Sequence, residues 1–509
     1  MATTVLGPRV PSTAATGADT RRIVTQLLRA TGREREDLTH RTAASINALV
    51  PVARLETVPD GLRLHLDGGA RVLLLATEPH RPEAEPADTV VLTALCEEPA
   101  RTDPSLLARA LAMVERQPFQ SVEWGELLSQ MPLTAQLPEH LGTTCLERIA
   151  PVLTVHHMTD FLVLVDAVLR LGVPAKAITV LDKGYPYLHT RRVDAHLASM
   201  GVQVFPWNRA ADALADHCRR ATALGRRGLL VDDGGYTLPV LIEQRPDLLP
   251  DFCGLVEQTM SGITKLTPYG RLPVPVFSVA QSRLKSTIEP FGVADAAVRN
   301  ILRLLPHEKF EGRPALILGY GRIGRQLAEI LRHRRMRVAV FDHAIAPLVA
   351  AHEQGFVTAR TLPDLLHSHQ PLLIIGATGS TSLQAKDAEH LAADCYLVST
   401  TSRQHEFDIQ GLSGIALTST DLGRTGTVLS LPNGVRATVI GDGFPVNFHH
   451  AESLPNRYSD LILASLVIGA ATLAQPDHGF HDGHNVARTD QVLEGCGLLE
   501  RYLDQFGPQ

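Results

Sequence analysis

A chain of 509 residues is longer than one compact core, so two or three domains are expected. With 44% apolar and 20% charged residues it has ordinary globular usage, which argues against extensive disorder. Its 54 acidic against 48 basic residues leave a net charge of -6, so neither nucleic acid nor an anionic membrane is an expected partner.

The opening MATTVLGPRVPSTAATG has no cationic start followed by an apolar run, and no stretch approaches ~18 consecutive apolar residues. A cytoplasmic protein is expected. The six cysteines, at 96, 145, 218, 253, 395 and 496, form no Cys-x-x-Cys pair and read as small buried apolar residues.

Up to about Pro51 the sequence reads as a mobile tip followed by an amphipathic helix, with Ile23, Val24, Leu27 and Leu28 on one face. Leu62, Leu64 and Leu66 then alternate with polar residues. The apolar run Val72 to Leu75 follows Asp67-Gly68-Gly69, which predicts a β-hairpin in a small N-terminal domain. The Pro- and Glu-rich RPEAEPAD from Arg81 reads as a connection to another apolar run at Val90 to Leu92.

From about Leu146 short β-branched runs alternate with helical patterns, the signature of parallel sheets covered by helices. The first series is PVLTV at Pro151, AITVL at Ala177, VQVF at Val202, GLLVDD at Gly228 and PVPVFSV at Pro273. The second is ALILG at Ala315, RVAVFD at Arg337, PLLIIGATG at Pro371 and CYLVST at Cys395. The expected fold is α/β, with two doubly wound parallel-sheet domains and a small α+β N-terminal domain. The divisions fall at 1–145, 146–295 (substrate), 296–445 (dinucleotide) and a 446–509 return to the substrate domain.

ALILG runs into Gly319-Tyr320-Gly321-Arg322-Ile323-Gly324 and then into the helical RQLAEILRH. Gly319 supplies a tight turn, Gly321 lets backbone approach a pyrophosphate and Gly324 allows close helix packing. The Arg322-Ile323 turn presents the positive end of its helix to the phosphates. Asp342 closes the next strand, where a carboxylate holds a ribose diol and repels a 2′-phosphate. NAD is therefore expected over NADP. The third strand ends in Gly376-Ala377-Thr378-Gly379, which reads either as a border of the same cleft or as a plain tight turn.

Four segments lie upstream: HHMT at His156, VDDGG at Val231, GLVEQTMSG at Gly254 and PVPVFSVAQSRLKS at Pro273. On spacing alone His157 reads as a cap or packing residue, Asp232-Asp233 as a turn, and Lys285 as a surface charge. Together with the glycine turn they resemble, in order, the LHMT, LDDGGD, SEETTTG, NDSVTKSKFDN and GYGDVGKG motifs of the S-adenosyl-L-homocysteine hydrolase family. The resemblance runs from about Leu146 almost to the end.

The resemblance implies an enzyme whose NAD oxidises a nucleoside 3′-hydroxyl, so that the C4′ hydrogen becomes acidic and the 5′ substituent leaves by elimination. It implies Lys285 as the lysine assisting oxidation, and His157 with Asp233 as the pair near the leaving group. Glu289 takes the place of the sugar-binding aspartate, Asn447 that of the asparagine on the nicotinamide amide, and Thr259 and Ser261 those of cofactor-facing threonines. A homo-oligomer is implied as well.

The departures fall on the substrate side. Gln258 replaces a ribose-binding glutamate, Met260 the middle threonine, Pro290 an asparagine and Val293 a cysteine. The histidine of the family's NIGHFD segment falls on Ser402, with His405 nearby, and its GHP segment reads Ser453-Leu454-Pro455. The ending ERYLDQFGPQ lacks the family's C-terminal Lys and Tyr. A nucleoside other than the ordinary family substrate is expected, with thioether hydrolysis or dehydration at the 5′ carbon. Two other readings remain: a non-catalytic NAD-binding relative that regulates a partner, and a 2-hydroxy-acid dehydrogenase. His478, His481 and His484 in DHGFHDGH are interleaved with glycines and read as an exposed loop, so no metal is expected.

Overall fold

The computed structural model describes residues 23–29, 32–59, 61–77, 89–97, 103–114, 116–119, 121–185, 187, 189–401, 404–449 and 456–508. The expected N-terminal tip lies outside them. The chain forms two compact units, 1–117 and 118–509.

The first unit holds β1 (Ile23–Arg29), α1 (Gly32–Asn47), β2 (Val52–Val58), β3 (Gly61–Leu66), β4 (Arg71–Thr77), β5 (Thr89–Cys96) and α2 (Pro104–Val114). Its sheet has the order β1-β5-β4-β3-β2 and every pairing is antiparallel. Leu62, Leu64, Val72, Leu74, Leu92 and Ala94 turn to one face, in one core with Leu38 and Ile46 of α1 and Leu107 and Leu111 of α2. One covered face is what the period-2 alternation specifies. The amphipathic helix expected to include Ile23, Val24, Leu27 and Leu28 is a correction. Residues 23–29 are a strand paired with β5, and helix begins only at Gly32. Two turns of apolar residues fit either period, and pairing with β5 selects the extended form.

The second unit begins with three helices, α3 (Ser121–Gln130), α4 (Pro132–Ala135) and α5 (Leu137–Leu141). Met131, Leu133 and Leu137 belong to its first core, so the boundary expected at 145 falls at Gln117. Next come β6 (Ile149–Thr154), α6 (Thr159–Arg170), β7 (Thr179–Asp182), α7 (Thr190–Ser199), β8 (Gln203–Pro206), α8 (Ala210–Ala223), β9 (Arg227–Asp232), α9 (Thr237–Gln244), β10 (Phe252–Glu257), α10 (Met260–Leu266) and β11 (Pro275–Ser278). The strands are parallel, and the chain moves outward through β6-β7-β8, then returns to run outward the other way through β9-β10-β11. The strand order therefore reverses between β6 and β9. Open α/β sheets place ligands at such a switch point, outside the carboxyl ends of the strands.

Helix α11 (Arg283–Leu304) leaves this sheet and buries Ala297, Val298 and Ile301 in the core of the next. That sheet contains β12 (Pro314–Leu318), α12 (Arg322–His333), β13 (Arg337–Phe341), α13 (Ile345–Glu353), α14 (Leu362–His369), β14 (Leu373–Gly376), β15 (Cys395–Ser399), α15 (Ile409–Ile415), β16 (Thr418–Asp421), β17 (Gly426–Ser430) and β18 (Arg436–Ile440). Its order is β13-β12-β14-β15-β18-β17-β16. A parallel bridge from Ala339 to Val357 supplies a vestigial strand beyond β13, and β16-β17-β18 form an antiparallel edge. This is a Rossmann-type sheet with its switch between β12 and β14.

The chain then returns to the first sheet. α16 (Asn456–Leu473) buries Leu461, Leu463, Leu466 and Val467 in the core around β6 and α6, and Asp460 accepts from the Leu133 and Thr134 amides at 2.8 and 2.7 Å. β19 (Gly483–His484) adds a strand beside β11, followed by α17 (Val486–Gly495) and α18 (Leu498–Phe506). The histidine-rich segment is thus not wholly an exposed loop, since His484 lies in β19 and Asn485 Nδ2 donates to the His481 and Gly483 carbonyls at 2.7 Å each. Among the described residues no helix is long and apolar enough to cross a membrane.

Candidate functional site

At the switch point of the first sheet, the loops after β6 and β9 bring ionisable side chains together out of water. Asp233, 3% exposed, lies 3.1 Å from His156 Nε2 and 3.1 Å from Lys183 Nζ through the same Oδ2. Lys183 also donates to the Asp233 carbonyl at 2.8 Å. Burial pushes the Asp233 carboxyl up, but His156, Lys183 and Lys285 more than offset this, and it titrates below the usual range. Burial holds the His156 imidazole down at about 3, against the pull of Asp233. The ring is therefore neutral. Its other nitrogen meets the Tyr187 hydroxyl, which fixes a consistent pattern of Tyr187 donating to Nδ1 and Nε2–H facing Asp233.

The histidine expected against Asp233 was His157, and this is a correction. His157 is fully buried, stacked on Phe161 with 5.4 Å between centroids, and its Nδ1 lies 3.6 Å from Asp194 and 3.8 Å from Asp182. The Met158 amide donates to the His156 carbonyl at 2.8 Å, a tight turn centred on His157 from which the two rings diverge, and only His156 meets Asp233.

The paired aspartates also divide. Asp232 Oδ2 accepts from the Tyr236 and Thr237 amides at 2.7 and 2.6 Å and from the Thr237 hydroxyl at 2.7 Å, holding the start of α9. The buried Glu257 accepts from the Gly234 and Gly235 amides at 3.1 Å each and from Thr259 N at 2.8 Å. Burial and the Asp232 charge raise its carboxyl above the ordinary range. A Cβ on Gly235 would stand 2.7 Å from Gly262 Cα, so only glycine lets this loop press onto α10. Thr259 caps α10 through the Gly262 amide at 3.1 Å, with Met260 and Ser261 on the first turn. Gln258 hangs from the Asp232 carbonyl, and its buried Oε1 has no hydrogen-bond partner.

Lys285 is 7% exposed, not a solvated surface charge, and its Nζ donates to Glu289 Oε1 at 2.7 Å one turn along α11. It lies close enough to shift both Asp233 and His156. Pro290 follows in the same helix. The segment after β18 closes the crevice, with Phe448 stacked on His156 at 4.0 Å between centroids and Phe444 edge-on to Tyr185 at 5.7 Å. Lys183 and Lys265 lie over the Tyr236 ring at 5.5 and 4.1 Å. Lys183, Tyr187 and Glu257 were not singled out from sequence; apart from Thr259 beside Glu257, their partners are tens of residues away.

The second crevice is built mainly from backbone. Gly319 has φ 94°, and a Cβ there would stand 2.8 Å from Thr378 Cγ2. A Cβ on Gly324 would stand 1.9 Å from the Gly319 carbonyl oxygen, whereas one on Gly321 would meet nothing within 4 Å. The turn is therefore sealed on its protein side and open above Gly321, where Arg322 and Ile323 begin α12. Asp342 accepts from the Tyr320 and Ala344 amides at 2.8 Å each, which aims its carboxylate at the turn. Asn447 is 3% exposed and its Oδ1 is unpartnered, while Asn300 Nδ2 pins the loop around it through the Val446 and His449 carbonyls. An open glycine turn, an acid for a ribose diol and a buried amide awaiting a donor fit NAD.

Thr378 and Gly379 border this crevice, and both donate to Glu406, a fully buried residue that sequence did not single out. His405 is exposed beside it. Ser402, Ser453, Leu454 and Pro455 lie outside the described residues. Among the described residues no group of three His, Cys, Asp or Glu is arranged to hold a metal.

No family model matches the chain. An uncharacterized protein of Mycobacterium tuberculosis is 29% identical over 348 residues, 63% of this chain and 64% of the relative. The chain thus spans less than two thirds of that protein's length. The adenosylhomocysteinase of Aeropyrum pernix is 25% identical over 360 residues, covering 69% of this chain and 84% of that enzyme, and that of Saccharolobus solfataricus is 24% identical over 364, covering 70% and 84%. Among solved structures, the dipicolinate synthase A chain of Bacillus subtilis aligns with a TM-score of 0.37 and 12% identity over 63% of this chain and 96% of that one. Over most of its second unit the chain is similar in sequence to adenosylhomocysteinases.

Proposed function

We propose that the chain is a cytoplasmic, NAD-dependent, homo-oligomeric enzyme acting on a nucleoside. It oxidises a sugar hydroxyl transiently, removes the C4′ proton, and eliminates or adds a group at the 5′ carbon. The leaving group is a thiolate or water. The observation that carries this reading is the buried cluster of Asp233, His156, Lys183 and Lys285, against which Phe448 packs one residue beyond Asn447 of the crevice that fits NAD. Burying four ionisable side chains is costly unless they are paired or used, and such clusters concentrate at reactive sites.

When bound, NAD accepts a hydride from the sugar carbon and later returns it. Lys285 passes its own proton to Glu289 Oε1, 2.7 Å away, as it takes the hydroxyl proton, and the other Glu289 oxygen accepts a hydrogen bond from the neighbouring hydroxyl. Asp233 with His156 handles the proton lost from C4′ and delivered to the departing group; His156 replaces His157 in that pair. Thr259, Ser261, Thr378, Gly379 and Asn447 line the cofactor's side. Gln258 exchanges a charged carboxylate for a neutral amide, and Pro290 removes a hydrogen-bonding group, at the sugar end. Each such loss costs about 1–3 kcal/mol, so S-adenosylhomocysteine itself is turned over poorly.

The decisive experiment denatures purified protein and identifies released NAD and nucleosides by mass spectrometry. The matching nucleoside is then incubated in heavy water. Deuterium should enter at C4′ without net NAD consumption, since only a 3′-ketone makes that hydrogen acidic. No C4′ exchange during turnover would defeat the reading.

A further inference from the structure

Glu406 is absorbed by none of the roles above. Its carboxylate is fully buried at the carboxyl ends of β14 and β15, on the Rossmann side of the molecule. Thr378 N and Gly379 N donate to it at 3.1 Å each, Thr378 Oγ1 at 2.7 Å to Oε1, and Thr401 Oγ1 at 2.7 Å to Oε2. Its main chain is fixed as well, since Ser382 donates to the Glu406 carbonyl through N at 2.8 Å and Oγ at 3.0 Å. Gly376 leaves room for the side chain, because a Cβ there would stand 2.0 Å from Glu406 Cγ. The two amides can only donate, and the Thr378 hydroxyl divides its one proton between Oε1 and the Ser380 carbonyl, each at 2.7 Å, so the groups around Glu406 suit an ionised carboxylate. Among the described residues no Lys, Arg or His forms an ion pair with it.

The position decides what that charge faces. Asp342 fixes a ribose on the β13 side of the glycine turn, so the other half of a dinucleotide must cross the ends of β14 and β15. Thr378, already held by Glu406, is the residue against which Gly319 packs. Asn447, with its unpartnered Oδ1, follows Val446, whose amide donates to the Ser399 carbonyl at the end of β15 at 2.8 Å. Along this path the oxidised nicotinamide ring is the one group whose positive charge disappears on reduction.

Resting on the NAD reading, we propose that Glu406 is a positioning residue that also holds the bound cofactor in its oxidised form. Its hydrogen bonds set the β14 and β15 loops around the nicotinamide half, and its charge, with which no described Lys, Arg or His pairs, favours the cationic ring over the neutral one. A unit charge within about 10 Å, in a medium of effective dielectric about 20, changes such a preference about tenfold or more. For an enzyme that must begin each turnover oxidised, this prevents it from being trapped with reduced cofactor.

The test strips the protein of cofactor and measures dissociation constants for NAD and NADH separately. Wild type should bind NAD at least tenfold more tightly than NADH. Glu406→Gln should move the ratio toward NADH by about tenfold, a shift of about 30 mV in a two-electron couple. Glu406→Asp should keep the wild-type ratio, and Thr401→Val should weaken both forms alike. A Glu406→Gln protein in which both constants change equally would reduce Glu406 to a structural tie and overturn the charge role. If that variant does not fold, wild type still decides, since tighter binding of NADH than NAD overturns the proposal. If wild type binds neither form, the NAD reading fails first and the proposal with it.

Discussion

The two seven-stranded sheets of the second unit each reverse strand order at a central switch point and use it in opposite ways. Between β6 and β9 the crevice is filled by buried side chains, with a neutral His156 and the Lys183 and Lys285 charges gathered around the Asp233 carboxylate. Between β12 and β14 it is emptied of them, and Gly319, Gly321 and Gly324 leave a bare turn with Asp342 at its rim. Backbone suffices to hold a pyrophosphate because every ligand of that kind presents the same oxygens. Chemistry on a particular sugar needs groups of defined protonation.

The largest effects should come from the side-chain crevice. Lys285→Ala is expected to lower turnover about 10²–10⁴-fold and to suppress both transient NADH absorbance and C4′ deuterium uptake. Asp233→Asn should slow departure of the 5′ group by a similar factor while sparing oxidation. His156→Gln should follow Asp233→Asn, whereas His157→Gln should act through stability. If His157→Gln alone abolishes departure of the 5′ group in a folded protein, the histidine assignment is reversed.

In the backbone crevice two neighbouring glycines should separate fold from ligand. Gly324→Ala must displace the Gly319 carbonyl and is expected to destabilise the protein by about 1–3 kcal/mol, read as a lower Tm. Gly321→Ala meets no protein atom and should leave the Tm of the cofactor-free protein unchanged while weakening NAD about tenfold or more by calorimetry. Equal effects of both variants on Tm would show that the turn is not open. A smaller effect is expected at Asp342: NAD should bind about tenfold more tightly than NADP, and Asp342→Ala should narrow that gap. Equal or tighter NADP binding by wild type removes the assignment.

The smallest effect separates burial from function. His217, deep in the first sheet, accepts or donates with Thr179 Oγ1 at 2.9 Å and the Ala150 carbonyl at 3.1 Å, and burial lowers it to about 4. A depressed histidine stabilises the fold fully above its unfolded value of 6.5, and that stability is lost as pH falls toward about 4. His156, lowered to about 3, acts in the same direction. Tm should therefore fall by a few degrees across this window, and His217→Gln should flatten the slope without altering the pH dependence of turnover. An unchanged slope would mean that His217 is not the group being titrated.

What the sequence determined by itself was local. Strand, glycine turn, helix and terminal acid from Ala315 to Asp342 are contiguous; Gly324 answers to a contact within the turn and Gly319 to one with the next strand end, while Gly321 stays open. Alternation at Leu62, Leu64 and Leu66 likewise gave a strand with one covered face. Tertiary structure decided wherever two local answers were equivalent. Residues 23–29 became a strand because β5 was there to pair with them, and the polar Thr418–Asp421 became an edge strand only beside β17. Adjacent identical residues diverged for the same reason: Asp232 caps α9 while Asp233 faces His156, and His157 turns to Phe161. Lys183 and Glu406 carry no local signature at all. Their meaning lies in partners brought up by other strands, because burial of a charge is a property of the packed sheet and not of the residues beside it in the chain.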